Sequence, residues 1–193
     1  IREENDFPSV QCFKAGFEFL DLNRNADNWL LQIETFDPHE PFFAPERFKQ
    51  MFPTDYRGPI LDWPRYDRVT EPQEQIDELR ANYFALLSLC DDLLGRFLDY
   101  FDAHDMWKDT ALILTTDHGF LLGEHDWWVK NRMPLYEEIS HIPLFVYHPD
   151  HADKAGQRRK SLTQTIDLMP TICELFGADV PDEVQGKSLL PLL

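Results

Sequence analysis

An aspartate and a histidine occupy consecutive positions, Asp117 and His118, just after a predicted buried strand and just before Gly119. On irregular backbone a carboxylate and an imidazole can face the same ion, whereas neighbouring side chains within a strand point to opposite faces. Glycine at the next position allows a sharp turn. The pair therefore fits half of a divalent-metal site, and its mixed donors suit Mn²⁺, Zn²⁺ or Fe²⁺, with Ca²⁺ favoured mainly if further carboxylates join. The alternative is an aspartate that caps the turn beside an exposed histidine.

Two more side chains, His39 and Lys130, have the chemistry to handle an anion. His39 lies in a loop framed by two prolines, which restrict the backbone and so largely fix the direction of the ring. Because imidazole titrates near neutral pH, His39 could hydrogen-bond an anion or act as a general acid. Lys130 follows two tryptophans, which could shield its ammonium group from water and strengthen its attraction for an anion. The alternatives are a histidine that bridges backbone groups and a solvated lysine. For His125 and Arg132, in the same loop as Lys130, residue type alone favours a structural role.

Composition limits the classes of partner. The 193 residues include 35 acidic and 18 basic side chains, a net charge of −17, and 43% are hydrophobic, which is enough to bury a core. A negative surface repels phosphate backbones and anionic lipids, so we expect no nucleic-acid and no membrane partner. An anionic substrate would need a local positive centre, either a metal or a basic side chain. No apolar run reaches the ~20 residues that a membrane span needs.

Several common catalytic and structural signatures are missing. The three cysteines, Cys12, Cys90 and Cys173, lie far apart without a C-x-x-C pair or a histidine at zinc-finger spacing, so we expect neither a disulfide framework nor a structural zinc. There is no G-x-S-x-G, no phosphate-binding P-loop and no G-x-G-x-x-G. A Ser-His-Asp hydrolase, a P-loop enzyme and a Rossmann enzyme therefore lack their motifs.

The hydrophobic pattern predicts the elements that must position these side chains. Buried strands are predicted over residues 29–35, 110–116 and 142–147. A short helix is predicted with Ser9 as its cap and the turn at 23–25 as its end. The pattern also predicts a helix of about thirty residues ending near 101, a last helix over 165–176, and helical turns near 45–51 and 134–139. Thr70 is the predicted N-cap of the long helix, with Gln73 at the capping-box position. Residues 43–69 are predicted to form a long structured loop, here called the long excursion, and long loops of this kind often bind ligands.

This alternation of strands and helices predicts an α/β fold with a largely parallel sheet flanked by helices. In such sheets ligands bind beyond the carboxyl ends of the strands. The first predicted strand runs toward His39 and the second ends at Asp117. We therefore expect His39, Asp117, His118 and Lys130 to converge on one cleft at that edge.

A series of longer motifs follows the same order along the chain. They are TFDPHEPF at 35–42, YFA at 83–85, DDLLGR at 91–96, TTDHG at 115–119, LGEHDWWVK at 122–130, YEE at 136–138, IPL at 142–144, DLMPT at 167–171 and GKSLLPL at 186–192. From about Trp29 onward this series resembles the sulfatase family within the alkaline phosphatase superfamily. The resemblance implies a metal-dependent hydrolase of sulfate esters, of which sugar sulfates are one class.

The resemblance also implies roles for individual residues. Asp117 and His118 are expected metal ligands, while His39 is expected to contact the sulfate group and to protonate the leaving oxygen. Lys130 is expected to bind the same group, and His125, in the matched loop, is included among the substrate-binding residues. The implied cofactors are a divalent cation, Ca²⁺ before Mn²⁺ or Zn²⁺, and a formylglycine nucleophile. The implied partner is a small anionic ester.

Part of the family pattern is missing from this chain. The formylglycine motif C/S-x-P-x-R and two metal-binding carboxylates belong to the family's N-terminal half, and Cys12 has neither proline nor arginine at the required offsets. We therefore expect residues 1–193 to be the middle-to-C-terminal part of a single sulfatase-like α/β domain that needs its N-terminal part to complete the site and is inactive alone. The alternatives are a phosphonate monoester or phosphodiester hydrolase using the same residues, and a non-catalytic binding module on the same scaffold. The sequence assigns no location, with the cytoplasm favoured over secretion.

Overall fold

The structure is a computed structural model that describes residues 3–193, and its backbone falls into two units. The first unit contains the described residues up to His104 together with His118–His141, and the second contains Asp105–Asp117 and Ile142–Leu193. The helices are α1 (Pro8–Leu22), α2 (Glu46–Lys49), α3 (Gln73–Ala103), α4 (Glu137–Ser140) and α5 (Leu168–Leu175). The strands are β1 (Leu112–Thr115), β2 (Leu121–Leu122), β3 (Trp128–Val129) and β4 (Leu144–Tyr147). Short 3₁₀ segments lie at Glu4–Asp6, Met106–Lys108, Glu124–Asp126, Pro149–Lys154, Thr165–Asp167 and Leu190–Leu192.

The long amphipathic helix is confirmed as α3, which has 31 residues and supplies many of the buried side chains in the first unit's core. Its buried face, which includes Leu86 and Leu89, packs in one cluster with Phe42 and Trp128. The predicted N-cap is wrong. The helix begins after Pro72 without a side-chain cap, and the Thr70 hydroxyl instead accepts a hydrogen bond from a nearby guanidinium group, because it lies too far upstream to reach the first helical N–H groups.

The first helix is also confirmed, although its predicted cap is not. α1 begins one residue earlier, at Pro8, where the fixed proline φ suits the first helical position. Ser9 therefore lies inside the first turn, buried, and its hydroxyl donates to the carboxylate of Asp37. Phe13 and Phe17 on α1 contact the Phe97 ring of α3, with ring centroids 6.2 and 6.0 Å apart.

The strand predicted over residues 29–35 is wrong, since this segment pairs with no strand among residues 3–193. The chain there alternates half-buried and exposed side chains, as a strand does, but the half-buried set packs on α1. Ile33 lies so close to Gly16 that a Cβ on the glycine would be 2.6 Å from Ile33 Cδ1. A strand needs a neighbour for its backbone hydrogen bonds, and hydrophobic alternation does not reveal whether one exists.

The second unit is built on the antiparallel pairing of β1 with β4, in register from Leu112 opposite Tyr147 to Thr115 opposite Leu144. Both strands and the last helix, α5 with its preceding 3₁₀ turn, were predicted at nearly these positions. The paired strands within residues 3–193 are antiparallel, so mixed helix and strand structure is confirmed but the largely parallel sheet is not. None of the helices in this range is both long and apolar enough to cross a membrane.

Candidate functional site

A small hairpin brings the two ends of one predicted motif together. β2 and β3 pair antiparallel, with Leu121 opposite Val129 and Leu122 opposite Trp128, and all four side chains are buried. The residues flanking this hairpin therefore lie near each other. The side-chain nitrogen of Lys130 is 3.0 Å from Nε2 of His118.

The contacts of His118 define which ring nitrogen carries the proton. Its Nδ1 lies 2.9 Å from the carbonyl oxygen of Gly119, and a carbonyl can only accept, so Nδ1 carries hydrogen. Nε2 then presents a lone pair, which accepts a hydrogen bond from the Lys130 ammonium group. This neutral tautomer, with Nδ1–H held by a backbone carbonyl, is the form in which histidine binds metals through Nε2.

Gly119 is required by a close approach of two backbone segments. Its N–H donates to the Ile139 carbonyl at 2.8 Å, and a Cβ at this position would lie 1.7 Å from the carbonyl oxygen of Glu138. The sequence predicted a glycine that permits a sharp turn, whereas the structure shows a glycine that admits the start of α4 against the loop. Any side chain here would push α4 away from His118.

The backbone around Lys130 is unusual for residues that carry side chains. His125, Asp126, Val129 and Asn131 all have positive φ, between 54° and 84°. Such conformations are costly, most of all for a β-branched residue such as Val129, and persist only where surrounding contacts hold them. Two backbone hydrogen bonds supply those contacts. The Val69 N–H donates to the Asp126 carbonyl, and the Trp128 N–H donates to the Asp67 carbonyl, both at 3.0 Å.

Asp117 belongs to the second unit. It is exposed and follows β1, whose end is fixed by the Thr115 hydroxyl donating to the Pro143 carbonyl at 2.9 Å. The Thr116 hydroxyl donates to Asp117 Oδ1 at 3.3 Å. The carboxylate is thus displayed at the carboxyl end of a strand, as predicted.

The residues present fit a divalent cation only in part. Asp117 offers carboxylate oxygens and His118 offers the Nε2 lone pair, which are both metal-binding groups. Within residues 3–193 no three His, Cys, Asp or Glu side chains cluster in a way that could hold a metal ion.

His39 lies in a short loop that holds its ring firmly. Its backbone N–H donates to the Phe36 carbonyl at 2.9 Å, and its ring packs edge-on against the Phe36 ring, with centroids 5.5 Å apart. Nδ1 donates to the carbonyl oxygen of Glu40 at 2.8 Å, which leaves Nε2 as the nitrogen for exchange with a ligand. The fixed orientation agrees with the interpretation of the proline-framed loop.

His125 is fastened to the loop that contains it. Its Nε2 lies 3.2 Å from both carboxylate oxygens of Glu138, and its ring stacks on Tyr136 with centroids 3.8 Å apart. The pKa of Glu138 is lowered, first by a hydrogen bond from its own backbone N–H and then by His125. These contacts support the structural alternative, and a substrate-binding role for His125 stays a prediction. Arg132 makes an exposed ion pair with Asp67 at 3.6 Å.

Two acidic residues of the His39 loop were not singled out by the sequence. Asp37 is half-buried, and burial raises its pKa while the Ser9 hydroxyl opposes the shift. Glu40 is almost fully buried and accepts a hydrogen bond from the Tyr66 hydroxyl. Their positions beside His39 were the available signal, but burial of a carboxylate depends on residues distant in the chain.

The cysteines are free thiols in this structure. Burial raises the pKa of the Cys90 thiol to about 12, so it stays protonated at neutral pH and is a poor nucleophile. Cys12 lies 3.2 Å from the Glu34 carbonyl oxygen.

A cavity of about 800 Å³ opens beside the long excursion, between residues 52–56 and α3. Its lining includes Tyr56, Phe84 and Arg80. None of the predicted site residues of the described chain lines it, so it is separate from the His118 and Lys130 contact.

The family model and the similar proteins of known name both point to sulfatases. The model of the family described as Sulfatase matches residues 9–178. The chain is 37% identical over 112 residues to an N-acetylglucosamine-6-O-sulfatase of Bacteroides thetaiotaomicron, covering 58% of this chain and 20% of that protein. It is 32% identical over 167 residues to arylsulfatase K of Xenopus laevis, covering 86% of this chain and 29% of that protein.

Among solved structures, the phosphonate monoester hydrolase of Silicibacter pomeroyi superposes with a TM-score of 0.79 at 25% identity. The match covers 100% of this chain and 42% of that one. The chain therefore spans less than half the length of each of these three proteins.

Proposed function

Since the chain belongs to the sulfatase family, we propose that it forms the middle-to-C-terminal part of a hydrolase that cleaves a sulfate ester. The observation that carries this proposal is the 3.0 Å contact between Lys130 and His118. The contact places the Lys130 ammonium group beside the His118 imidazole, which is in the tautomer suited to metal binding. An anionic ester needs such a concentration of positive charge in a chain with a net charge of −17.

Asp117 and His118 would hold a divalent cation, for which we expect Ca²⁺ before Mn²⁺ or Zn²⁺. When bound, the cation neutralises charge on the transferring group, and a formylglycine in the N-terminal part supplies the nucleophile. His118 contributes through Nε2, because its Nδ1–H is held by Gly119. The Lys130 ammonium must leave that lone pair when a cation takes it, and is then free to turn to the ester.

Lys130 would bind the sulfate oxygens. Its side chain is half-buried, with the ammonium nitrogen 5.9 Å from the centre of the Phe120 ring. Partial removal from water strengthens the attraction between an ammonium group and an anion. An ammonium group that meets the developing charge stabilises the transition state more than the bound ester.

His39 would protonate the leaving oxygen. With Nδ1–H donated to the Glu40 carbonyl, the proton that His39 transfers must be carried by Nε2. General acid catalysis of this kind matters most when the leaving group is a poor one, because an alkoxide cannot depart without a proton.

A sugar sulfate is the substrate that we expect, supported by the similarity to a sulfatase named for N-acetylglucosamine 6-O-sulfate. A second candidate is a phosphonate monoester, supported by the similarity in fold to the phosphonate monoester hydrolase. Both esters are anionic and tetrahedral at the reacting atom, so the same residues would serve either.

The test is to produce the chain together with the upstream sequence of its own gene and to measure hydrolysis of glucosamine 6-sulfate, 4-nitrophenyl sulfate and a phenylphosphonate monoester. Preferential cleavage of the sulfates supports the proposal, and preferential cleavage of the phosphonate favours the second candidate. The 193-residue chain alone serves as the control, for which we expect no turnover. Turnover by the chain alone would refute its role as one part of a site, and no hydrolysis by the longer protein would leave the binding module as the better description.

A further inference from the structure

A buried carboxylate lies directly beside His39. Glu40 is only 4% exposed, and its Oε1 accepts a hydrogen bond from the Tyr66 hydroxyl. The other oxygen, Oε2, has no hydrogen-bond partner within residues 3–193. It lies 3.3 Å from Nδ1 of His39, close enough for electrostatic attraction, although the Nδ1–H points to the Glu40 backbone carbonyl.

Packing alone does not account for a glutamate in this place. A buried acceptor that lacks a hydrogen bond is destabilising, and a buried carboxylate more so than a neutral group. Burial and the hydrogen bond to Glu40 raise the pKa of Tyr66 to about 12, so its hydroxyl remains a donor at neutral pH. The hydrogen bond from Tyr66 thus fixes Oε1 of Glu40, and Oε2 lies beside the His39 imidazole.

The geometry suits a proton-transfer cycle at His39. When His39 carries a proton on Nε2 as well as on Nδ1, the ring is positive, and the Glu40 Oε2 lies 3.3 Å from its Nδ1. The nucleophile of the N-terminal part would bond to sulfur as the bond between sulfur and the ester oxygen breaks. The Nε2 proton would then pass to that oxygen, which leaves as an alcohol, and His39 would become the neutral Nδ1–H tautomer. The Glu40 backbone carbonyl holds this tautomer by accepting the Nδ1–H, while the Oε2 charge lies beside the same edge of the ring.

We propose that Glu40, anchored by Tyr66, is a positioning residue that orients His39 for general acid catalysis. The effect of Glu40 on catalysis rests on the proposed function. The contact with His39 can be tested separately from any activity.

The kinetic test uses the longer protein and its Glu40→Gln and Tyr66→Phe variants, with Glu18→Gln as the matched control because Glu18 is exposed on α1. With an alkyl sulfate, whose leaving group needs a proton, Glu40→Gln is expected to lower kcat about 100-fold with little change in KM. With 4-nitrophenyl sulfate, whose leaving group departs unaided, the loss is expected to be much smaller. Tyr66→Phe should follow the same pattern with a smaller loss.

An equal loss with both esters, or none with either, would overturn the inference, because a merely structural role does not depend on the leaving group. The second measurement is nuclear magnetic resonance of ¹⁵N-labelled histidine rings in the same proteins. We expect the His39 Nδ1 resonance to shift in Glu40→Gln and not in Glu18→Gln. If the protein cleaves no sulfate ester, the proposed function fails, and a shift still supports the positioning contact; an unchanged His39 resonance refutes it.

Discussion

Nε2 of His118 accepts a hydrogen bond from Lys130 at 3.0 Å, across a hairpin that places these residues on either side of one two-residue strand pair. The same nitrogen is the one that the tautomer leaves for a metal. In the proposed site, Lys130 and a bound cation would therefore compete for one lone pair, and both would neutralise charge on the anionic ester.

Loss of the Lys130 charge is expected to weaken catalysis. In the longer protein, Lys130→Ala should lower kcat/KM for a sulfate ester by about 100-fold, because a cation that meets the transferring group stabilises the transition state. Lys14→Ala is the matched control, since Lys14 is exposed on α1. Steady-state kinetics decide the matter, and unchanged kcat/KM in Lys130→Ala would remove Lys130 from the site.

Loss of either proposed ligand is expected to weaken metal binding. Asp117→Asn and His118→Ala should each reduce the affinity of the longer protein for its divalent cation by at least about 100-fold, since even loss of a group behind a ligand costs about 10–100-fold. Titration of metal-depleted protein measures this directly. His141→Ala, which removes an exposed histidine paired with Glu137, should bind as the unmodified protein does. Equal metal affinity in all variants would contradict the assignment.

Two glycines are expected to respond oppositely to alanine. At Gly119 a Cβ would lie 1.7 Å from the Glu138 carbonyl oxygen, so Gly119→Ala should lower the free energy of unfolding by about 2–4 kcal/mol. At Gly95, in the middle of α3, a Cβ meets nothing within 4 Å. Gly95→Ala should raise the free energy of unfolding by about 0.5–1 kcal/mol, because alanine favours the helix. Urea denaturation compares the two, and similar values would disprove the close approach at Gly119.

The stability of the chain should depend on pH through Asp37. Burial raises the pKa of Asp37 above its usual value of 3.8, so the folded state binds this proton more tightly than the unfolded state does. The stabilisation that results is complete at low pH and is lost as pH rises through the raised pKa. Asp37→Asn is neutral at every pH. Relative to the original chain, its free energy of unfolding should therefore improve between strongly acidic and neutral pH, measured by denaturation at several pH values.

Glu71 provides the control of opposite sign. Burial tends to raise the pKa of Glu71, but hydrogen bonds from the Thr70 backbone and the Trp128 indole, which donates at 2.8 Å, outweigh it and lower the pKa. A lowered pKa adds stability above the usual value of 4.5 that is lost as pH falls through the folded-state value. Glu71→Gln should thus be most destabilising at neutral pH. The same pH trend for both variants would contradict these assignments.

Sequence periodicity predicted those elements whose hydrophobic faces are buried within the chain itself. α3 has one continuous buried face, and its extent follows from the spacing of residues such as Leu79 and Phe97. Residues 29–35 show an alternating pattern of burial too, but their half-buried side chains pack on α1. Hydrophobic alternation reports which side chains are buried and not what covers them.

The candidate site was predictable residue by residue and not as an arrangement. The metal-binding chemistry of His118 follows from its type and its place after a strand. Its contact with Lys130, twelve positions away, depends on the short pairing of β2 with β3, which is too brief to leave a periodic signal. Glu40 leaves no local signal of this kind, because the Tyr66 hydroxyl that donates to its carboxylate is 26 positions distant.

The extended segment 29–35 also has a consequence for handling the protein. Among residues 3–193 its backbone N–H groups make no hydrogen bonds to other backbone groups, and Leu30 beside them is 58% exposed. An unpaired extended edge with apolar side chains is a template for strand addition by another molecule. In solution this chain is expected to associate with itself in a concentration-dependent way, and Leu30→Lys should reduce that association.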